Sequence, residues 1–255
     1  KGVLERGSEV GGGPVGPGPV VRAELVQRLF RHAGLPKTAC RRVSLSSTWV
    51  GDRLHSGGCM TGSKAGARPL GRRFEDALVY AARVHAGQVR KGTAIPYVSH
   101  LLAVAGLVLE DGGDEDEAIA ALLHDAAEDQ GGRARLAEIR ERFGGRVARI
   151  VEECSDTYET PKPAWRARKE AYLRHLREDA SPDARRVALA DKLHNARAIL
   201  RDRGVVGEAV WERFNARKDD VLWYYGELVK VFRDVCPDSA LTGELDLIVR
   251  ELERP

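Results

Sequence analysis

Beyond Phe74, apolar residues recur every three or four positions through nearly every stretch of the chain, and each run predicts an amphipathic helix. FEDALVYAARVHAG sets Phe74, Ala77, Leu78, Ala81 and Ala82 on one face and stops at Gly87. HLLAVAGLVLEDGG and DEAIAALLHDAAED follow, parted by a Gly-Gly turn. LAEIRERFGGRVARIVEEC reads as two helices broken at Gly144-Gly145. SPDARRVALADKLHNARAIL opens with Ser181 as N-cap, Pro182 at the first helical position and Asp183 in the first turn. AVWERFNARKDDVLWYYGELVKVFRDV predicts one long amphipathic helix, and GELDLIVREL closes the chain. No stretch alternates convincingly, so the expected fold is all-α, a bundle of roughly eight helices with irregular crossings.

Residues 1–73 break this pattern. They hold 14 of the 27 glycines and 5 of the 11 prolines, and only AELVQRLFRHAG (23–34) is periodic. Such a segment buries too little surface to offset its ordering entropy, so a largely disordered leader is expected there, with the folded domain at 74–255. The chain does not begin with Met and its only methionine is Met60. The expectation is that Met60 is the natural start and that 1–59 is upstream sequence.

Charge sharpens the division. The net charge is +3, but residues 1–73 carry 13 Lys/Arg against 4 Asp/Glu, leaving 28 against 34 for the rest. The basic character belongs to the leader, and no nucleic-acid motif accompanies it, so no nucleic-acid partner is expected. No run of about 18 apolar residues occurs, so no membrane span is expected either. Cys40, Cys59, Cys154 and Cys236 lack paired spacing and read as reduced thiols of a cytoplasmic protein. Nothing in the pattern speaks to oligomeric state.

Three stretches carry candidate chemistry. AALLHDAAEDQ (120–130) ends an apolar run in His124, Asp125, Glu128 and Asp129. His124 and Glu128, and likewise Asp125 and Asp129, are four apart and lie along common sides of a helix. His124 and Asp125 diverge by about 100°, yet at a helix end they can converge on one ion. A solvated acidic turn is the alternative. In RRVALADKLHNARAIL, Asp191 follows an apolar run and shares a face with Asn195. A carboxylate buried there needs a partner, either a cation or a salt bridge to Arg186 or Lys192. In QVRKGTAIPYVSHLLAVA, Arg90-Lys91 sits in a Gly/Pro loop and His100 opens an apolar helix. His100, His124, Asp125 and Asp191 together suit a borderline-to-hard divalent ion such as Mn2+, Fe2+ or Zn2+, with positions left for water and substrate.

The order YAARVHAGQVRKGTAIPYVSHLLAVA, ALLHDAAED, ALADKLHNARAI resembles the HD-type hydrolase domain of the RelA/SpoT alarmone enzymes, above all their stand-alone small relatives, from about Phe74 to Phe232. The resemblance implies that His100, His124, Asp125 and Asp191 bind the metal, usually Mn2+, and that Glu128 and Asp129 handle the attacking water. It implies that Arg90 and Lys91 line the base site and that Asn195 touches substrate beside the metal. The implied reaction removes pyrophosphate from the 3′ position of guanosine tetra- or pentaphosphate, giving GDP or GTP. No alarmone synthesis is expected, since nothing after the hydrolase core resembles a nucleotidyl-transfer domain.

Gln130 departs from the family's usual Thr, and ECSDTYETPKPAWRARKEAYL is nearer the short hydrolases than the long enzymes. There Lys162, Arg168 and Lys169 are candidates for the distal phosphates, and Lys218 is another. Trp165, Trp211, Trp223, Tyr224 and Tyr225 are expected in the core rather than as base-stacking platforms. His85 and His194 are expected to be structural or to support the ligands. The alternatives are the same metal site acting on another nucleotide (an NADPH phosphatase, a nucleotidase or a dNTP hydrolase) and a nucleotide-binding sensor without turnover.

Overall fold

Residues 69–158 and 161–254 are described in the computed structural model; of the leader expected over 1–73, residues 1–68, with the 23–34 stretch and Met60, lie outside them, whereas Arg72 and Arg73 already belong to the first helix. Ten α-helices and one 3-10 segment occur among the described residues. They are α1 (Arg72–Val84), α2 (Val98–Glu110), α3 (Glu115–Leu123), α4 (Ala126–Asp129) and α5 (Gly132–Phe143). Then come α6 (Gly145–Cys154), α7 (Trp165–Glu178), α8 (Pro182–Val206), the 3-10 segment (Gly207–Arg213), α9 (Lys218–Val235) and α10 (Ala240–Glu253). The fold is all-α, and the described residues contain no strand, only an isolated antiparallel bridge between Val89 and Pro96.

Helix α3 is the centre of the bundle. Its start is a capping box: the Asp114 carboxylate accepts from the Glu117 N–H at 3.1 Å, and the Glu117 carboxylate accepts from the Asp114 N–H at 2.8 Å. Every residue from Ala118 to Leu123 is fully buried. A helix apolar all round belongs inside, and α1, α2, α6 and α8 surround it. The long α8 begins as the sequence predicted, with Ser181 Oγ accepting from the Ala184 N–H at 3.2 Å and Pro182 leading the first turn. Arg186 on α8 pairs with the buried Glu117 and, at 3.1 Å, with Asp111 at the end of α2, fastening three helices together.

Four expectations need correction. The DEAIAALLHDAAED helix is broken between Leu123 and Ala126. The single helix expected over 209–235 is a 3-10 segment, a bent link at 214–217 and α9. Glu208 bridges the second break, accepting from Trp211 Nε1 at 3.1 Å and from Lys218 Nζ at 2.6 Å. A straight helix would separate positions ten apart by about 15 Å, so the chain must fold back to close that contact. Helix α7 was hidden because its surface is strongly basic and only Tyr172, Leu173 and Leu176 are buried. On α1, Tyr80 is buried where Ala82 was expected, and Ala82 faces out.

Candidate active site

The break after α3 creates the site. His124 keeps helical angles, Asp125 shifts to φ −94° and ψ −7°, and α4 lasts only four residues. Gly131 (φ 136°) and Gly132 (φ 61°) then turn the chain through angles a side chain resists, which stops α4 at Asp129. Neighbouring side chains that would diverge on a regular helix now meet, with His124 Nε2 3.0 Å from Asp125 Oδ2. The first turn of α2 brings His100 Nε2 to 3.1 Å from Asp191 Oδ1 on α8 and 3.6 Å from Asp125 Oδ2. Asp191 Oδ1 is also 3.6 Å from His124 Nε2. His100, His124 and Asp191 offer ligand atoms within 4.8 Å of one another, all three buried. Asp125 closes the ring at one side, its Oδ2 also accepting from the Tyr97 hydroxyl at 2.5 Å.

The donor atoms fit a divalent ion. His124 Nδ1 lies 2.8 Å from the Ala121 carbonyl, which can only accept, so Nδ1 carries a proton and Nε2 is the nitrogen left for an ion once its own proton is released. His100 Nδ1 meets His194 Nδ1 at 2.7 Å. Burial, then the charges of His100 and Arg90, push His194 down to about 4, and the tautomer in which its Nδ1 accepts from His100 Nδ1 is the one that leaves His100 Nε2 for an ion. Both Nε2 atoms are buried without a hydrogen-bond partner. Each nonetheless lies 3.0–3.1 Å from a carboxylate oxygen, so two imidazoles and two carboxylates converge on one point, as a ligand set does. The C-terminus of α3, with its partial negative charge, also favours a cation here. Burial opposes charge on His124, but Asp125 and Asp191 outweigh it and hold the imidazole well above its usual range. Burial likewise opposes the charge on Asp125, which His124 and His100 nevertheless keep well below the carboxylate range. For Asp191 the opposing burial is overcome first by Lys192 and then by His100.

Beside this cluster, both Glu128 oxygens are engaged: Oε1 by Lys162 Nζ at 2.8 Å, Oε2 by the Asp156 N–H at 3.0 Å. Asp129 is held by one oxygen, with Gln88 Nε2 donating to Oδ2 at 2.8 Å. Gln88 Oε1 in turn accepts from Gln130 Nε2 at 2.8 Å and meets His85 Nδ1 at 2.7 Å. The departure at position 130 thus has a place in the site. Burial and then the nearby Asp125 carboxylate raise the Asp129 carboxyl above its ordinary value.

Two cavities open from here. A cleft of about 340 Å³ has Arg90, Lys91, Phe214, Tyr225 and Ile199 among its walls. A smaller one of about 180 Å³ lies against Asp125, Glu128, Asp129 and Asp191. Lys169, Lys192 and Asn195 line both. Asn195 joins the two sides, accepting from Arg90 Nη2 and donating to Asp191 Oδ1, each at 2.6 Å. Lys91 Nζ donates to Asn215 Oδ1 at 2.9 Å on the far rim.

The remaining expectations divide. Arg168 is paired with Asp156 and lines neither cavity, whereas Lys169, 2.9 Å from the same carboxylate, lines both. Lys162 lines neither cavity and reaches Glu128, a wall of the smaller one. Lys218 is drawn to Glu208 and lies over the Trp211 ring, away from both cavities. Trp211, Tyr224 and Tyr225 are buried and Trp223 packs on the core. The split between core and platform does not hold for Trp165, Tyr224 and Tyr225, which also form walls of the larger cleft. Four residues that shape the site escaped the sequence reading: Gln88, Tyr97, Asp156 and Lys192. Lys192 entered only as an alternative partner for Asp191; in the structure Lys192 Nζ lies 2.7 Å from Asp191 Oδ2 while Oδ1 faces the histidines.

Residues 77–221 match the HD domain family. The chain is 36% identical over 176 residues to guanosine-3′,5′-bis(diphosphate) 3′-pyrophosphohydrolase MESH1 of Xenopus tropicalis, covering 67% of this chain and 89% of that protein. The human MESH1 is 37% identical over 129 residues, 49% of this chain and 69% of its own length. Among solved structures, a metazoan ortholog of SpoT described as hydrolysing ppGpp superposes with a TM-score of 0.60 at 28% identity, over 73% of this chain and 99% of that one. A Listeria monocytogenes protein superposes with a TM-score of 0.53 at 26% identity, over 60% of this chain and 97% of that one. With three ordered motifs and the buried histidine–aspartate cluster in one bundle, the chain belongs to the HD-domain family, in the group of the RelA/SpoT-type alarmone hydrolases.

Proposed function

We propose that this chain, through an HD-type unit at residues 74–255, is a metal-dependent hydrolase that removes pyrophosphate from the 3′ position of guanosine 3′,5′-bis(diphosphate). The observation that carries the reading is the pair of unpartnered, buried histidine Nε2 atoms facing Asp191 and Asp125, next to a cleft of about 340 Å³, within the size range of small-ligand pockets. The Xenopus tropicalis relative, matched over 89% of its length, is named a guanosine-3′,5′-bis(diphosphate) 3′-pyrophosphohydrolase. His100, His124, Asp125 and Asp191 would hold the ion, and Mn2+ suits two imidazoles with two carboxylates. When bound, such an ion neutralises phosphoryl charge and lowers the pKa of water.

The chain's own residues then divide the work. Asp129 has one free oxygen and a raised pKa, which suits it to accept a proton from the attacking water. Glu128, engaged at both oxygens, holds the Lys162 and Asp156 segment against the site. Arg90 and Lys91 would bind the base end of the nucleotide, and Asn195 would position it against the metal side. Lys162 and Arg168 support the phosphate end through the carboxylates they hold, and Lys218 has no role in this reading. A cytoplasmic setting is in keeping with Cys154 and Cys236, which are free thiols.

The test is hydrolysis by the metal-loaded chain of guanosine tetraphosphate, NADPH and a dNTP panel, with products resolved as pyrophosphate, orthophosphate or triphosphate and Asp191→Ala as blank. Chelator-sensitive release of pyrophosphate and GDP from the first substrate is expected. Turnover confined to another nucleotide would replace the substrate, and tight nucleotide binding without turnover would make the chain a sensor.

A further inference from the structure

A 3′-pyrophosphohydrolase has to protonate its leaving group. Ribose 3′-alkoxide is a strong base, and neither Asp129 nor Glu128, on the water's side, is free to serve it at the same moment. Granting the nucleotide reading above, the nucleoside fills the larger cleft and the 3′-diphosphate the smaller cavity against the acid pair. The bridging 3′-oxygen must then lie where the two cavities meet. Lys169, Lys192 and Asn195 are the residues common to both.

Two of the three are committed elsewhere. Asn195 carries an amide, which is no acid, and spends both its ends on Arg90 and Asp191. Lys192 Nζ is tied to Asp191 at 2.7 Å, a carboxylate of the metal cluster. Lys169 differs. Its partner Asp156 is shared with Arg168, so the carboxylate stays paired when Lys169 gives up its charge. We infer that Lys169 is the catalytic acid that delivers a proton to the ribose 3′-oxygen.

In that step the water oxygen bonds to the first phosphorus of the 3′-diphosphate as the bond from that phosphorus to the 3′-oxygen breaks. The bonding pair stays on the 3′-oxygen, which takes a proton from Lys169 Nζ. The water's proton goes to the Asp129 carboxylate, and solvent later restores Lys169. The surroundings favour this donor. Burial and then the Lys192 charge lower the Lys169 ammonium below the usual lysine range, against the opposing pull of Asp156. Arg168 on the same helix also disfavours its charge. The Tyr224 ring lies 5.2 Å from Nζ and adds an apolar wall beside it.

The test compares two substrates: guanosine tetraphosphate, and the same nucleotide with sulfur replacing the bridging 3′-oxygen, whose thiolate leaves without a proton. In the metal-loaded chain, Lys169→Met and Lys169→Arg are each expected to lower kcat on the oxygen substrate by about 100- to 10,000-fold, the range of general acid catalysis. Lys169→Arg keeps the charge but not an accessible proton, which separates acid catalysis from charge stabilisation. On the sulfur substrate both should stay within about five-fold of the unaltered chain, well short of an acid's share. Equal losses on both substrates by an active parent would overturn the role of Lys169 alone, as would full activity of Lys169→Arg on oxygen. A parent chain inert towards the oxygen substrate would overturn the nucleotide reading as well.

Discussion

Tyr97 donates its hydroxyl to Asp125 Oδ2 at 2.5 Å, from a half-buried position one residue before α2. Replacing it with Phe removes that oxygen and little else. The ring keeps its stacking on His85, with centroids 5.2 Å apart, and its place under Arg90, 5.7 Å away. A hydrogen bond to a charged group contributes about 1.5–3 kcal/mol, equivalent to about 13- to 160-fold in a binding constant. Part of that is lost in the ion-free chain too, where Asp125 retains His124 at 3.0 Å as partner. The net effect on ion affinity should therefore fall in the range of about 10- to 100-fold that outer partners of metal ligands usually contribute. The assay is calorimetric titration of Mn2+ into chelator-stripped Tyr97→Phe and parent chains at one pH, with thermal unfolding of both to confirm an intact fold. An ion affinity within about two-fold of the parent, in a chain that melts normally, would refute the idea that this hydroxyl aligns Asp125 for an ion.

Three further outcomes follow from the same geometry. Because Asp125 and Asp191 overcome burial and hold His124 well above the ordinary imidazole value of 6.5, the ion-free imidazole favours its charged form. Ion uptake should then release about one proton and tighten as pH rises, read as a dependence of calorimetric heat on buffer ionisation; no dependence would contradict it. In the ion-free chain the sign for stability is split: the His124 contribution is full below pH 6.5 and is lost as pH rises through its raised value. The Asp125 and Asp191 contributions are present above 3.8 and lost as pH falls through their lowered values. Arg90→Ala should raise KM by about 10- to 100-fold with a smaller change in kcat, the loss of a charged hydrogen-bond donor on the base side; a fall in kcat alone would move Arg90 out of binding. Arg186→Met should lower stability by about 2–3 kcal/mol, less than the about 3–5 typical of a fully buried pair because Arg146 still stands 4.0 Å from Glu117. Thermal unfolding measures it, and adding Glu117→Gln should recover part of the loss.

The helical bundle was legible because periodicity, caps and Gly-Gly breaks agreed along α2, α3, α5, α6 and α8. It failed where a tertiary contact overrode local pattern. The residues from Ala209 to Val235 keep an unbroken apolar stripe, and only Glu208 closing on Trp211 and Lys218 shows that the chain doubles back. His100, His124, Asp125 and Asp191, which the structure brings together, could be picked out from spacing, although spacing left a solvated acidic turn and a salt bridge open beside a metal. Their supports could not. Gln88 and Tyr97 act across 41 and 28 positions of sequence, and Arg90 reaches Asn195 across 105. Lysines read as phosphate ligands from charge alone sorted by geometry instead: Lys169 between the cavities, Lys162 on Glu128, Lys218 on Glu208.

Asn195 stands between Arg90 and Asp191 with 2.6 Å contacts on either side, and an amide whose two ends are both used cannot respond to one neighbour without moving the other. A nucleotide that draws Arg90 away frees the Asn195 oxygen and lets its amide rotate, which changes what Asp191 offers an ion. By linkage the dependence runs equally in reverse: whatever factor the ion contributes to nucleotide affinity, the nucleotide contributes to ion affinity. Cellular supply of the ion would then set how much nucleotide the chain holds, and a pulse of nucleotide would make it compete better for a scarce ion.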